Sequence, residues 1–341
     1  ISQGSQTLTI TSANTLFSGN TLTATVTTTA TSSSGGIVTF SVTAGSGSAT
    51  VNANTGLITF VQAGTVSLTA SAAGDSNYSV ATTSQLLTLA LSPGGVFSGI
   101  NLWLRADVGV SVSSTTNYVS SWNDQSNSIT VTANQAHTSP TSAISVTSVG
   151  FNYNPMVSFS NNKLLGTGNF NFSVSNTIIG VAQYTSSSGN VYASFFCSYA
   201  TASNRAGIIG TNNNATLTFG YALDGSGGCG SYTQQTFSPS IVAGMYANAL
   251  NTNNSIIYLN GVAYNNNPGA FSIASSGLTS FEIGGTEASS NLSMTGNIAE
   301  VIYYNRGISS GELTRAQSYL AIKYGIHLDP TAVPNYLASD G

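Results

Sequence analysis

Apolar and polar residues alternate along this chain in short bursts, with Gly, Asn and Ser between them. TLTI (7–10), TLTATVTT (21–28), IVTFSVT (37–43), ATVNANTGLITF (49–60) and TVSLTASA (65–72) are rich in Thr, Val, Ile and Leu. Alternation at period two turns one side of an extended segment to a core and the other to water. Strands recurring about every ten residues predict an antiparallel sandwich over residues 1–91. In ALSPGGVFSG (90–99), Pro93 stands before Gly94 and Gly95 and breaks the pattern, which reads as a linker.

A second strand series fills the rest. It runs through NLWLRADVGV (101–110), YVSSWNDQSN (118–127), NPMVSFSNNKLLGT (154–167), NTIIGVAQYT (176–185), AGIIGT (206–211) and NATLTFGYAL (214–223). IVAGMYANAL (241–250), NSIIYLNGVAYN (254–265), TSFEIGG (279–285) and NIAEVIYYNRGIS (297–309) complete it. Asn260-Gly261, set between apolar alternations, predicts a tight hairpin. The period changes once, over 310–323, where Leu313, Ala316, Leu320 and Tyr324 share one helical face. Ser309 and Glu312 have capping-box spacing, and Gly325 suits the left-handed position after a helix. This helix is expected to cover an edge or open end of the strands, with Tyr319 and Tyr324 packing. YALDGSGGCGS (221–231) reads as a loop.

Charge is scarce. Lys and Arg number 6, Asp and Glu 10, and the net charge is −4 in 341 residues. No basic footprint for nucleic acid or an anionic membrane exists in such a chain. No apolar run reaches the roughly 20 residues of a membrane span. The composition suits an extracellular surface, with solubility resting on Ser, Thr, Asn and Gly. Cys197 and Cys229 are an even pair for which one disulfide is expected, against a reading of two buried thiols.

Two resemblances add to this. Residues 40–89, above all GTVSLTASAAGDSNYSVATTSQ (64–85), resemble the bacterial Ig-like repeats of large surface proteins. Such domains are mostly spacers. LWLRADVGV, SSWNDQSN, IIYLNGVAY, GNIAEVIYYNRGIS and QSYLAIKYGIHLD together resemble the laminin-G-like, concanavalin-type jelly rolls, over most of 100–329. That resemblance implies two stacked antiparallel sheets. It also implies a range of roles, from carbohydrate binding to adhesion, with calcium held at a loop in many members. SYLAIKYGI followed by NYLASDG (335–341) looks like a variant common in very large secreted proteins of the Bacteroidota, whose sequence continues past DG. A domain-scale fragment, starting at Ile1 rather than Met, is expected. The fold class is therefore all-β: an Ig-like sandwich over 1–91, then a jelly roll with one short helix over 92–341.

Candidate chemistry is thin. In WNDQS, Trp122 with Asn123 and Asp124 could present a ring to a sugar and polar groups to hydroxyls or calcium. The competing reading, which is favoured, packs Trp122 in the core and has Asp124 cap the loop. Asp107, Asp124 and Asp224 are the calcium candidates. Arg105 is expected to pair with Asp107, Asp124 or Glu300, as a fold-specifying bridge. Glu282, Glu287 and Glu300 lack the paired motif of sandwich glycosidases, and His137 and His327 lack a nucleophile elbow. No catalytic residue is assigned. The expected function is a non-catalytic structural or adhesive segment of a large bacterial surface protein. Its expected partners are glycans or surface proteins, or copies of itself joined through a strand such as ISQGSQTLTI (1–10) in a filament or surface layer. A calcium-supported lectin-like module is the alternative, and a sandwich-fold glycosidase the remote one.

Overall fold

The computed structural model describes residues 2–17, 21–28, 37–126, 132–135, 144–172, 174–185, 191–201, 204–213, 216–223, 226–234, 238–249, 252–264, 278–285 and 293–337. The chain is all-β with one short helix, Ser310–Tyr324, toward its C-terminal end, as the alternation predicts. It divides into two units, the first ending at Phe97 and the second running from Ser98 to Leu337.

In the first unit, one sheet orders Thr15–Phe17, Ala81–Ala90, Gly64–Ala72 and Val38–Ala44. Another orders Thr21–Thr23, Leu57–Gln62 and Ser48–Val51. Thr15–Phe17 runs parallel to Ala81–Ala90. Leu16, Phe40, Ile58, Val66, Leu68 and Leu87 form the core. The run 21–28 is two strands, not one. Ala24 donates its N–H to the Gly56 carbonyl (2.8 Å), and beyond it Val26–Thr28 pairs with Leu8–Ile10. The N-terminal segment expected to be offered to a neighbouring copy is thus already paired within its own chain at Leu8–Ile10. Asp75 closes a local turn by accepting from the N–H groups of Asn77 (2.7 Å) and Tyr78 (2.8 Å).

In the second unit, one sheet orders Ser145–Thr147, Met156–Asn162, Met294–Tyr304, Asn176–Tyr184, Ser240–Ala249, Thr252–Leu259 and Val262–Tyr264. Ile100–Arg105 also joins it, beside the second half of Met294–Tyr304. The other sheet orders Val110–Val112, Val119–Asn123, Thr132–Gln135, Leu164–Phe170, Leu278–Ile283, Val191–Thr201, Asn204–Asn213, Thr216–Leu223 and Ser226–Gln234. The segment read as a loop at 221–231 is therefore largely strand, because glycines without side chains still complete a ladder at an edge. Asn260 and Gly261 take the expected hairpin, both with positive φ (48° and 92°). Residues 154–167 split where Asn162 and Lys163 carry the chain from one sheet to the other. Phe170 and Phe196 from one sheet meet Tyr303 from the other (ring centroids 5.0 and 5.9 Å apart), and Phe281 packs on both phenylalanines. Among the described residues no helix is long and apolar enough to cross a membrane.

Candidate functional site

Met294–Tyr304 has a strand on either side, which puts Glu300 directly between Arg105 and Val181 in register. Glu300 is 0% exposed. A lone carboxylate buried in this way would lose its charge rather than stay unpaired. Four donors meet this one. The Trp103 indole N–H donates to Oε1 at 2.5 Å. Oε2 accepts from the Lys323 ammonium (2.9 Å), the Tyr324 hydroxyl (2.8 Å) and the Tyr319 hydroxyl (3.2 Å). Three of these four come from the helix, so the carboxylate fastens the helix to the sheet.

The network extends outward. Lys323 also donates to Asp107 Oδ1 (3.1 Å), and Arg105 grips Asp107 through Nε (3.1 Å) and Nη2 (2.7 Å). The Arg105 guanidinium lies 5.0 Å from the Trp103 ring centroid. Two cations thus meet two anions. Burial pushes the Asp107 carboxyl up, but the Arg105 hydrogen bonds and the Lys323 charge outweigh it, and its pKa lies below the ordinary value. Burial raises the Tyr319 and Tyr324 hydroxyls far above the phenol range, and the Glu300 charge adds to this, so both remain donors.

Trp122 is 0% exposed and donates its indole N–H to the Arg105 carbonyl (2.8 Å). It packs in the core, and no sugar can reach its ring. Asp124 accepts from the Trp103 N–H (2.6 Å), the Ser126 N–H (3.0 Å) and the Ser126 hydroxyl (2.6 Å), closing the loop that follows Asn123. Asn123 is exposed. Asp107 and Asp124 therefore serve different partners, and Arg105 takes Asp107 alone of its three expected partners. Asp224, His137 and Glu287 lie outside the described residues, and His327 is exposed. Among the described residues no group of three or more His, Cys, Asp or Glu could hold a metal ion. The expected disulfide is corrected. Cys197 is buried in Val191–Thr201, and Cys229 belongs to Ser226–Gln234, three strand positions away in the same sheet. That is roughly 14 Å at the spacing of paired strands, twice the reach of a disulfide.

A second buried pair joins Lys163 to Glu282 (3.1 Å), with side chains 4% and 0% exposed. A partly exposed pair, at the helix start, joins Arg306 to Glu312 through two bonds of 3.0 and 2.6 Å. Arg306 holds the Glu312 carboxyl down to about 2, and the Ser309 bonds assist. The sequence signalled Glu300 by its apolar neighbours and Arg105 by the rarity of charge. It did not signal Lys323, Trp103 or Lys163, whose partners are distant in the chain.

One family model matches, and it covers residues 312–341. It describes a domain of unknown function, DUF8202. No curated protein matches the chain. Among solved structures, a Trypanosoma rangeli sialidase holding 2,3-difluorosialic acid is similar at 13% identity, with a TM-score of 0.45. The match covers 68% of this chain and 34% of the sialidase, so the chain spans about a third of that enzyme's length. Domain 4 of AbnA, a GH43 arabinanase from Geobacillus stearothermophilus in complex with arabinotriose, is similar at 14% identity and a TM-score of 0.41. That match covers 64% of this chain and 98% of the arabinanase domain. The receptor-binding domain of a botulinum neurotoxin C/D mosaic is similar at 10% identity and a TM-score of 0.40, over 64% of this chain and 50% of the toxin domain.

Proposed function

We propose that the chain is a non-catalytic structural and adhesive segment of a large extracellular, cell-surface protein. In this reading the first unit is an Ig-like spacer and the second a concanavalin-type, laminin-G-like module that is presented outward. The observation that carries it is the fate of the interior carboxylates. Glu282 and Glu300 are fully buried, and each is bonded to a lysine of its own. Neither can serve as general acid or nucleophile toward a glycosidic bond without first giving up that lysine. The sheet orders of the first unit, with an edge strand running parallel to the last strand, support the Ig-like assignment. Scarce charge supports an exposed setting beside other copies or other glycans.

The test is hydrolysis. The chain is incubated with sialosides, arabinans and a panel of plant and bacterial polysaccharides, and reducing ends are measured. None should form. Release of product that disappears in Glu282→Gln or Glu300→Gln, with the fold retained by circular dichroism, would make the chain an enzyme and end this reading.

A further inference from the structure

Lys163 and Glu282 meet out of water. Their side chains are 4% and 0% exposed, and Nζ lies 3.1 Å from Oε1. They stand 119 positions apart in the chain, and adjacent strands bring them together. Leu164–Phe170 pairs antiparallel with Leu278–Ile283, with Leu164 opposite Ile283 and Leu165 opposite Glu282. Lys163 stands one position before that ladder begins. On its other side Glu282 is opposite Cys197, so it belongs to an inner strand of the sheet. Asn162, itself buried, accepts the Lys163 N–H through Oδ1 (2.8 Å) and fixes the chain where it enters the strand.

Gly285 makes the approach possible. A Cβ there would lie 2.5 Å from Lys163 Cδ and 2.6 Å from Glu282 Oε2, nearer than atoms pack. The lysine stem and the carboxyl therefore both rest on bare backbone. Gly284, at φ 79°, serves the same end: a Cβ there would lie 2.7 Å from the Phe159 ring, which closes over it. Two reactive groups are thus seated together by residues that have no other reason to be small.

An ion pair in such a place recovers its lost hydration only in part. A proton passed from an ammonium to a carboxylate leaves an amine beside a carboxylic acid, with no charge in the interior. An amine and an acid condense when fixed at near-attack distance, about 3–3.5 Å between reacting atoms. We propose that Lys163 and Glu282 are the site of an intramolecular amide crosslink. Nζ attacks the Glu282 carboxyl carbon and forms the N–C bond. One C–O bond of the carboxyl breaks, and its oxygen leaves as water with the transferred proton and a second proton from nitrogen. An ammonium and a carboxylate become a secondary amide and one water, with nothing oxidised or reduced and no co-reactant. Lys323 does not follow the same course, because it is shared between Asp107 and Glu300, and four donors hold the Glu300 carboxylate. The crosslink ties two strands distant in sequence and restricts the unfolded chain as a disulfide does, yet it is indifferent to reductant.

The experiment weighs the whole chain by intact-mass spectrometry and then maps it with trypsin. Only 6 Lys and Arg are present, so the map is short. The mass should fall below that of the sequence by one water, with or without reductant. The digest should hold one product that joins 106–205 to 206–306, uncut at Lys163. Lys163→Arg, which keeps the positive charge without the amine, should restore the full mass. A parent chain of full sequence mass overturns the proposal, and so does release of 206–306 as a separate peptide. A water loss that persists in Lys163→Arg, as dehydration at Asp224-Gly225 would give, overturns it as well. Should Lys163→Arg fail to fold, the peptide map of the parent decides alone. None of these outcomes bears on the non-catalytic reading, which hydrolysis tests separately.

Discussion

Glu300 is held by the Trp103 indole, two tyrosine hydroxyls of the helix and a lysine, and this sets how single substitutions should behave. Glu300→Gln leaves the Lys323 ammonium inside with Asp107 as its remaining carboxylate. Removing one partner of a buried pair strands the other, and a loss of about 3 kcal/mol is expected from chemical denaturation. Trp103→Phe keeps the ring near Arg105 but deletes one bond to a charged acceptor, for a smaller loss of about 2 kcal/mol. If Glu300→Gln proves neutral, the clasp is ornamental. At this scale the sequence was half legible. Arg105 with Asp107 lies within reach of any reader, two residues apart, and the burial of Trp122 follows from the preference of such rings for cores. Lys323 could not be assigned to Glu300, because which of the scarce charges meet is decided by how the helix docks, not by spacing.

The helix shows what its own turns encode and what its surroundings add. Ser309 and Glu312 exchange the bonds of a capping box (3.3 and 2.8 Å), and Gly325 takes the left-handed position (φ 64°), as their spacing predicts. The predicted face of Leu313, Ala316, Leu320 and Tyr324 is buried. Gln317 and Ser318 are buried too, because residues after the helix turn back along it. Leu337 donates its N–H to the Ser318 hydroxyl (3.0 Å), and Ile326, Leu328 and Val333 are buried on the way. A helix covered on so much of its circumference has no clean amphipathic stripe to read. The acid limb of its stability has a definite sign. Glu312 titrates near 2 when folded, against an ordinary 4.5, so its stabilisation is complete above about pH 5 and drains as pH falls toward 2. Asp107, also depressed, acts in the same direction. Thermal melts across that range should fall steeply, and Glu312→Gln should flatten the curve while lowering the plateau. A melting temperature that does not change between pH 5 and 2.5 would count against both pairs.

For the whole molecule the scarcity of charge is the governing fact. Among the described residues, the Lys163–Glu282 and Lys323–Glu300 pairs are withdrawn from water, where salt screens them little. The melting temperature should therefore change by less than about 3 °C between 0.05 and 1 M sodium chloride. A large shift would mean that exposed charges matter more than these contacts imply. The all-β class was legible because alternation recurs in nearly every segment. The glycine-rich strand Ser226–Gln234 was not, since a residue without a side chain gives no period to detect. The return of residues 326–337 along the helix has a mechanical consequence. Tension applied at Leu337 meets the single bond to Ser318 first, then the Tyr336 hydroxyl on Leu328, then Val333 seated against Gly261. These contacts lie in series and yield in succession, whereas the ladders of the sheets resist together. Stretched in an optical trap, the module should lengthen by at most about 40 Å, the full extension of these dozen residues, before any strand moves. It would then be a tether that lengthens under load and rewinds when the load is removed.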